Sequence, residues 1–365
     1  MAVSRFPLIF DGHNDPVMKL VQPGASFFES NQGWHVDLPK SLAGGLGGGF
    51  FAVYISDPEV MQIQRDAEAA GRDPMEAMRE HFDAIKDRTE WPDPMPLDYA
   101  QHHALAMLGT LLKVERDSDG ACKVVRTAGE LQACLDAGTF AILLHFEGAE
   151  PLDPEGRALE VFYAAGLRSV GLTHSRRNIY TEGVPFTFGR SPDTGPGLNE
   201  LGKDLVRQLN AKRVMIDLSH ITEQGFWDVA ELSDAPLVAT HSNAWGLCNM
   251  PRNLTDRQLQ AIGETRGMAG LNFMTAFLAA DGSTEAELPL SVMVDHIDYM
   301  VEKAGIDCVA LGSDFDGALV PTELGDASGL PKLMETLRSR GYSDEELAKL
   351  AHGNWVRVLR ETWGE

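Results

Sequence analysis

Basic residues are scarce in this 365-residue chain. Lys and Arg number 31 against 54 Asp and Glu, a net charge of −23. A field of that sign repels phosphate backbones and anionic lipid, which argues against nucleic-acid and membrane-surface partners. Cysteine is sparse too. Cys122, Cys134, Cys248 and Cys308 show neither CxxC spacing nor the density of a disulfide scaffold. Free thiols are expected, with Cys308 a small buried hydrophobe and Cys248 near the motif around His241. No uncharged apolar run approaches the roughly 18–20 residues of a membrane-spanning helix. The opening MAVSRFPLIFDG has too short an apolar stretch for a cleavable signal, and RETWGE offers no tail for a lipid anchor. A cytoplasmic protein is expected.

Short apolar runs, by contrast, recur along the whole length. Eight read as strands: LIFDGHND, GGFFAVYI, FAILLHFEG, LRSVGLTH, RVMIDLSH, LVATHS, GMAGLNF and CVALGSDF. Near-continuous rather than alternating apolar character fits strands buried on both faces. Helical patterns lie between most of them. Leu198, Leu201, Leu205 and Leu209 recur at helical spacing, Thr222 can cap TEQGFWDVAEL, and Ser343 with Glu346 forms a capping box. Strand–helix alternation repeated about eight times predicts an α/β chain folded as a single (β/α)8 TIM barrel over residues 1–365. Residues 56–110 break the rhythm and read as a helical insertion after strand 2. Within it, Asp73 would cap DPMEAMREHFDAI, with Met75, Met78, Phe82 and Ile85 as its buried stripe. Residues 180–197 read as a loop near the site, and GLGGG at 45–49 as a turn.

Residues with metal-ligand chemistry cluster at the trailing ends of those runs. His13 and Asp15 lie two apart on an extended segment, so both can face one cation. Glu147 can give one oxygen to each of two cations held roughly 3.5–4 Å apart. His145, two residues earlier, competes for that role and is expected instead among the barrel's packed layers. His220 and His241 end consecutive strands and can share a metal, with Asp217 and Ser219 or Ser242 orienting the rings. His174 ends its strand as a hydrogen-bond donor to a developing oxyanion, a third ligand or a structural histidine. Asp314 and Asp316 are rival carboxylates for moving a proton to a leaving amine. Arg252, on the loop after His241, could clamp a substrate carboxylate or lie solvated. His35, His81, His102, His103, His296 and His352 lack ligand spacing.

The ordered motifs DGHND, FEG, LTH, DLSH, a His-Ser run followed by PRNLTD, and GSDFDG resemble the membrane (renal) dipeptidase family of zinc metallopeptidases, and its bacterial soluble branch in particular. The resemblance spans almost the whole chain. It implies a barrel whose C-terminal face holds a binuclear site, with two zinc ions per subunit. His13, Asp15 and Glu147 would hold one ion, and Glu147, His220 and His241 the other. It implies further that His174 and Arg252 bind substrate, that Asp314 is the catalytic aspartate, that dipeptides including L-Xaa-D-Xaa are hydrolysed, and that the chain forms a homodimer. Met274 stands where animal members have an aromatic residue, at the side-chain pocket. A barrel amidohydrolase acting on N-acyl amino acids or cyclic amides would commonly show H-x-H on the first strand and a carboxylated lysine. This first strand gives H-x-D, and no strand end supplies the lysine. A metal-binding scaffold without turnover is the rival from another class.

Overall fold

Nine parallel strands form one sheet in the computed structural model, which describes residues 6–72, 77, 80 and 91–364. They are β1 Ile9–Asn14, β2 Leu46–Tyr54, β3 Cys122–Val124, β4 Phe140–Glu147, β5 Leu167–Gly171, β6 Met215–Asp217, β7 Val238–Ala239, β8 Met268–Leu271 and β9 Val309–Leu311. The order is β1-β2-β4-β5-β6-β7-β8-β9. The last strand returns to the first: His13 O accepts from Asp314 N at 2.9 Å, and Phe315 O from Asp15 N at 2.8 Å. The result is the expected barrel of eight strands, nearly closed. Every residue of β1 and β4 is buried, which is why neither run alternates.

The ninth strand, β3, is absent from the sequence reading. It pairs with residues 140–142 at the foot of β4, below the point where β5 takes over from Leu144. Three residues, CKV, carry no periodicity to reveal it. The GLGGG reading also needs correction. Gly45 caps the preceding helix in a left-handed conformation, but residues 47–49 lie inside β2. At Gly48, with φ of 149°, a Cβ would fall 2.2 Å from Ala141 O, so glycine admits the neighbouring strand rather than a turn.

The foot of the barrel is filled. Phe10, Phe50, Leu143, Met215, Val238, Met268 and Ala310 form one buried cluster with Trp355 from the final helix, Asn354–Trp363. The Trp355 indole donates to Leu311 O at 3.0 Å. Phe10 and His13 lie an odd number of residues apart, yet Phe10 packs in this cluster and His13 joins the site above it. The register irregularity between Asp11 and Asn14 accounts for the switch. With the foot packed, chemistry is left to the opposite, C-terminal face.

Helices Pro58–Ala69 and Leu97–Asp117 follow β2, the second running past residue 110. Met75, Met78, Phe82, Ile85 and the Asp73 cap lie outside the described residues. Thr222 and Ser343 do cap their helices. Leu205 and Leu209 are buried in the helix Glu200–Ala211, while Leu201 is exposed and the cap is Asn199. No helix among the described residues is long and apolar enough to cross a membrane.

Candidate metal centre

The predicted site residues gather at one mouth. His13 lies in β1 with Asp15 just beyond it, and Glu147 ends β4. His174, His220, His241 and Asp314 fall two or three residues past β5, β6, β7 and β9, on the connecting loops rather than on the strands themselves. Loop backbone permits what strand backbone forbids. His220 and Asp314 have φ of 69° and 61°, left-handed values that cost a non-glycine residue roughly 1–2 kcal/mol and swing the side chain inward.

Glu147 Oε1 is the point of convergence. It lies 3.6 Å from His13 Nε2, 3.0 Å from His220 Nε2, 3.5 Å from His241 Nε2 and 4.0 Å from His174 Nε2. His13 Nε2 is 3.5 Å from Asp15 Oδ2. His220 Nε2 and His241 Nε2 face each other at 3.1 Å, and the His13 and His241 rings stack at 3.7 Å. Both ring nitrogens of His13 are buried without a hydrogen-bond partner. Among the described residues, three sets of ligand atoms lie close enough to hold an ion: Glu147 with His174 and His220, His13 with Asp15 and Asp314, and His13 with Asp217 and His241. Buried imidazole nitrogens left unpaired against carboxylate oxygens suit a cation with nitrogen and oxygen ligands, zinc included.

Burial sets the electrostatics. His174, His220 and His241 are held well below the ordinary histidine range by desolvation, with the Arg252 charge adding to it. For His13 burial works downward as well, but the Glu147 and Asp15 carboxylates overcome it and raise the ring well above that range. Burial pushes Asp15 up to about 6 and Asp314 up to about 6, the latter helped by the Asp15 charge. A Cβ on Gly317 would fall 2.3 Å from Asp15 Oδ2 and 2.7 Å from Asp314 Oδ1, so the glycine of SDFDG lets the two carboxylates approach.

The structure separates the rivals. Asp316 is engaged by Lys19 Nζ at 2.6 Å, His35 N at 2.8 Å and Val36 N at 2.9 Å, leaving it no part in the site. Asp314 faces the centre, where Asn272 Nδ2 donates to it at 2.8 Å. His145 lies a layer below, its Nδ1 on Ser169 Oγ at 2.8 Å, and burial lowers it to about 3. Arg252 is buried rather than solvated. Its guanidinium donates to Ser242 Oγ and His241 O, its Nε has no partner, and it lies over the Phe277 ring. Desolvation lowers it to about 10, so it stays charged at neutral pH. His174 packs on Tyr54 with ring centroids 4.6 Å apart and planes tilted by 51°, and keeps 17% of its side chain open.

Other contributors carried no signal in the sequence. Thr240, Ser175, Asn272 and Tyr54 touch the predicted residues, but nothing in their spacing marks them out. Phe186 lies 6.0 Å from His174 and 6.3 Å from His220 and packs, with Met274, on a small cluster of Cys248, Met250, Ala276 and Phe277. Cys248 is thus beside the site as expected, its thiol pushed up to about 12 by burial, and all four cysteines are free and buried.

Comparison with known proteins agrees with this fold. The family model described as membrane dipeptidase (peptidase family M19) matches residues 2–363. The solved structure of dipeptidase AC, a metallopeptidase of family M19, has a TM-score of 0.89 at 42% identity, covering 99% of this chain and 100% of that one. A metallopeptidase from Rhodobacter sphaeroides, liganded with a phosphinate mimic of the dipeptide L-Ala-D-Ala, has a TM-score of 0.89 at 43% identity, covering 98% and 100%. An uncharacterized protein from the pqqA 5′ region of Klebsiella pneumoniae is 47% identical over 271 residues, 74% of this chain and 98% of that one.

Proposed function

The chain belongs to the membrane dipeptidase family, peptidase family M19, and is a dipeptidase of the metallopeptidase class; from that premise we propose that it cleaves dipeptides, L-Xaa-D-Xaa among them, with two zinc ions at the barrel mouth. The observation that carries this reading is the approach of four imidazole nitrogens to Glu147 Oε1. His13, Asp15 and Glu147 would hold one ion, and Glu147, His220 and His241 the other. When bound, such ions polarise a carbonyl and lower the pKa of water toward about 7.

The protein groups then divide the remaining work. Asp314, held by Asn272, accepts a proton from the attacking water and passes it to the departing amide nitrogen. His174, kept neutral by burial, offers an N–H to the carbonyl oxygen as it gains charge. Arg252 has an unpaired Nε and no ion pair among the described residues, so the free carboxylate of a dipeptide would be its counterion. The dipeptide mimic held by the Rhodobacter sphaeroides relative supports a ligand of this size and chemistry.

A panel of L,L- and L,D-dipeptides, their C-terminal amides and their N-acetyl derivatives, assayed with zinc restored, tests this reading. Free dipeptides should be cleaved and the amides should be poor. Arg252→Ala should lose on the order of 10² in kcat/KM on free dipeptides, the scale of a buried charged contact, and little on amides. Silence toward every free dipeptide, or preference for acylated ones, would sink it.

A further inference from the structure

The Thr240 hydroxyl has a single proton to give, and its neighbours decide where it goes. Oγ1 lies 2.6 Å from Asp217 Oδ2 and 2.8 Å from His241 Nδ1. The other carboxylate oxygen, Oδ1, accepts from Thr240 N at 2.8 Å and Ser219 N at 3.0 Å. An ionised carboxylate can only accept, so the hydroxyl proton points to Asp217 and the oxygen turns its lone pairs to His241. His241 Nδ1 must then carry the ring proton. Nε2 is left with a lone pair directed at the space shared with Glu147 and His220.

We propose that Thr240 and Asp217 are positioning residues that lock His241 in its Nδ1–H tautomer and so keep Nε2 ready to accept a cation. The inference rests on the reading of His241 as a zinc ligand. His220 has no equivalent lock: its Nδ1 meets Ser175 Oγ at 2.9 Å, a hydroxyl able to donate or accept there. The lock also spans one of the thinner junctions of the barrel. Strands β6 and β7 share one registered pair, Asp217 with Val238. The bonds from Thr240 to Asp217 extend that junction by side chain. Below, His145 Nε2 lies 3.6 Å from the same Asp217 oxygen, beyond hydrogen-bond distance, so Thr240 Oγ1 is the nearer partner of that oxygen. Without the hydroxyl, His241 Nδ1 would face Asp217 Oδ2 across 4.0 Å, too far for a direct hydrogen bond.

Three variants test the lock: Thr240→Val, which removes the hydroxyl at similar volume; Thr240→Ser, which restores it; and Asp217→Asn. In Asp217→Asn an amide N–H facing Oγ1 frees the hydroxyl proton for His241 Nδ1 and moves the ring proton to Nε2. Zinc affinity by chelator competition and the ¹⁵N shifts of His241 in the metal-free protein are the readouts. Thr240→Val and Asp217→Asn should weaken zinc binding about 10–100-fold, the usual effect of losing a group that orients a ligand. Both should depopulate the Nδ1–H tautomer, and Thr240→Ser should recover both properties. The lock is overturned if Thr240→Val keeps the wild-type tautomer or affinity, or if Thr240→Ser is as defective as Thr240→Val. His241→Ala, measured alongside, separates the two failures: zinc affinity unchanged there would refute the ligand reading, whatever the tautomer.

Discussion

Asp15 must be a carboxylate to hold a cation, and its surroundings resist that. Burial lifts it to about 6, and the neighbouring His13 is raised well above the ordinary range by the Glu147 and Asp15 charges that offset its own desolvation. In the metal-free protein both groups therefore bind protons that an incoming cation must displace. The sign follows directly: affinity rises with pH wherever the metal-free form holds more protons than the loaded form. His174, His220 and His241 are pushed down by burial and are already neutral there. We expect zinc affinity, measured by chelator competition between about pH 5 and 8, to climb by at least about tenfold per unit as His13 loses its proton, with the Glu147 carboxyl, also raised by burial, adding to the rise. Below about 6, where Asp15 and Asp314 also take up protons, the slope should steepen further. A slope that stays constant across that boundary would show that the pair is not displaced as described.

The loop after β9 shows what one element needs in order to present one side chain. Ser313 through Asp316 turn out of the strand with two left-handed residues, Asp314 and Asp316. Asp316 ties the turn to the loop after β1 by accepting from Lys19, His35 and Val36, while its own N–H donates to His35 Nδ1. Asp316→Ala strands two backbone N–H groups, each worth roughly 1–3 kcal/mol when unsatisfied and buried. We expect a lower melting temperature, faster proteolysis within residues 22–35, and reduced turnover because Asp314 loses its support. Wild-type proteolysis and stability would refute the tie. From SDFDG alone the two carboxylates looked equivalent, because the partners that engage Asp316 lie some 280 residues away in sequence. Local signals were readable: a ligand-type residue closing several of the apolar runs, a cap before each of several helices. Ser175 and Asn272 matter only through neighbours distant in sequence, Thr240 through Asp217 as well as the adjacent His241, and β3 is too short to show a period. Residues 47–49 were misread for the same reason, since what demands glycine is the approach of β4 at Gly48 and of β1 at Gly49.

At the level of the whole molecule, the barrel brings His13 and Asp314 together from opposite ends of the chain and does so inside a strongly negative body, net −23. That charge belongs to the surface field rather than to the centre, where Arg252 and His13 face Asp15, Glu147 and Asp314. A zwitterionic dipeptide with neutral side chains carries no net charge and approaches without bias. One with an acidic side chain is repelled, and one with a basic side chain is drawn in, until salt screens the field over a Debye length of about 10 Å at 0.1 M. Raising the salt from about 0.01 to 0.15 M should therefore increase kcat/KM several-fold for an aspartyl dipeptide and decrease it for a lysyl one. Alanyl-alanine should change little. Because pocket contacts within a few ångströms are screened far less than approach from bulk, opposite salt responses would assign the effect to the acidic surface. A common response in all three substrates would place it instead at the shared carboxylate and Arg252.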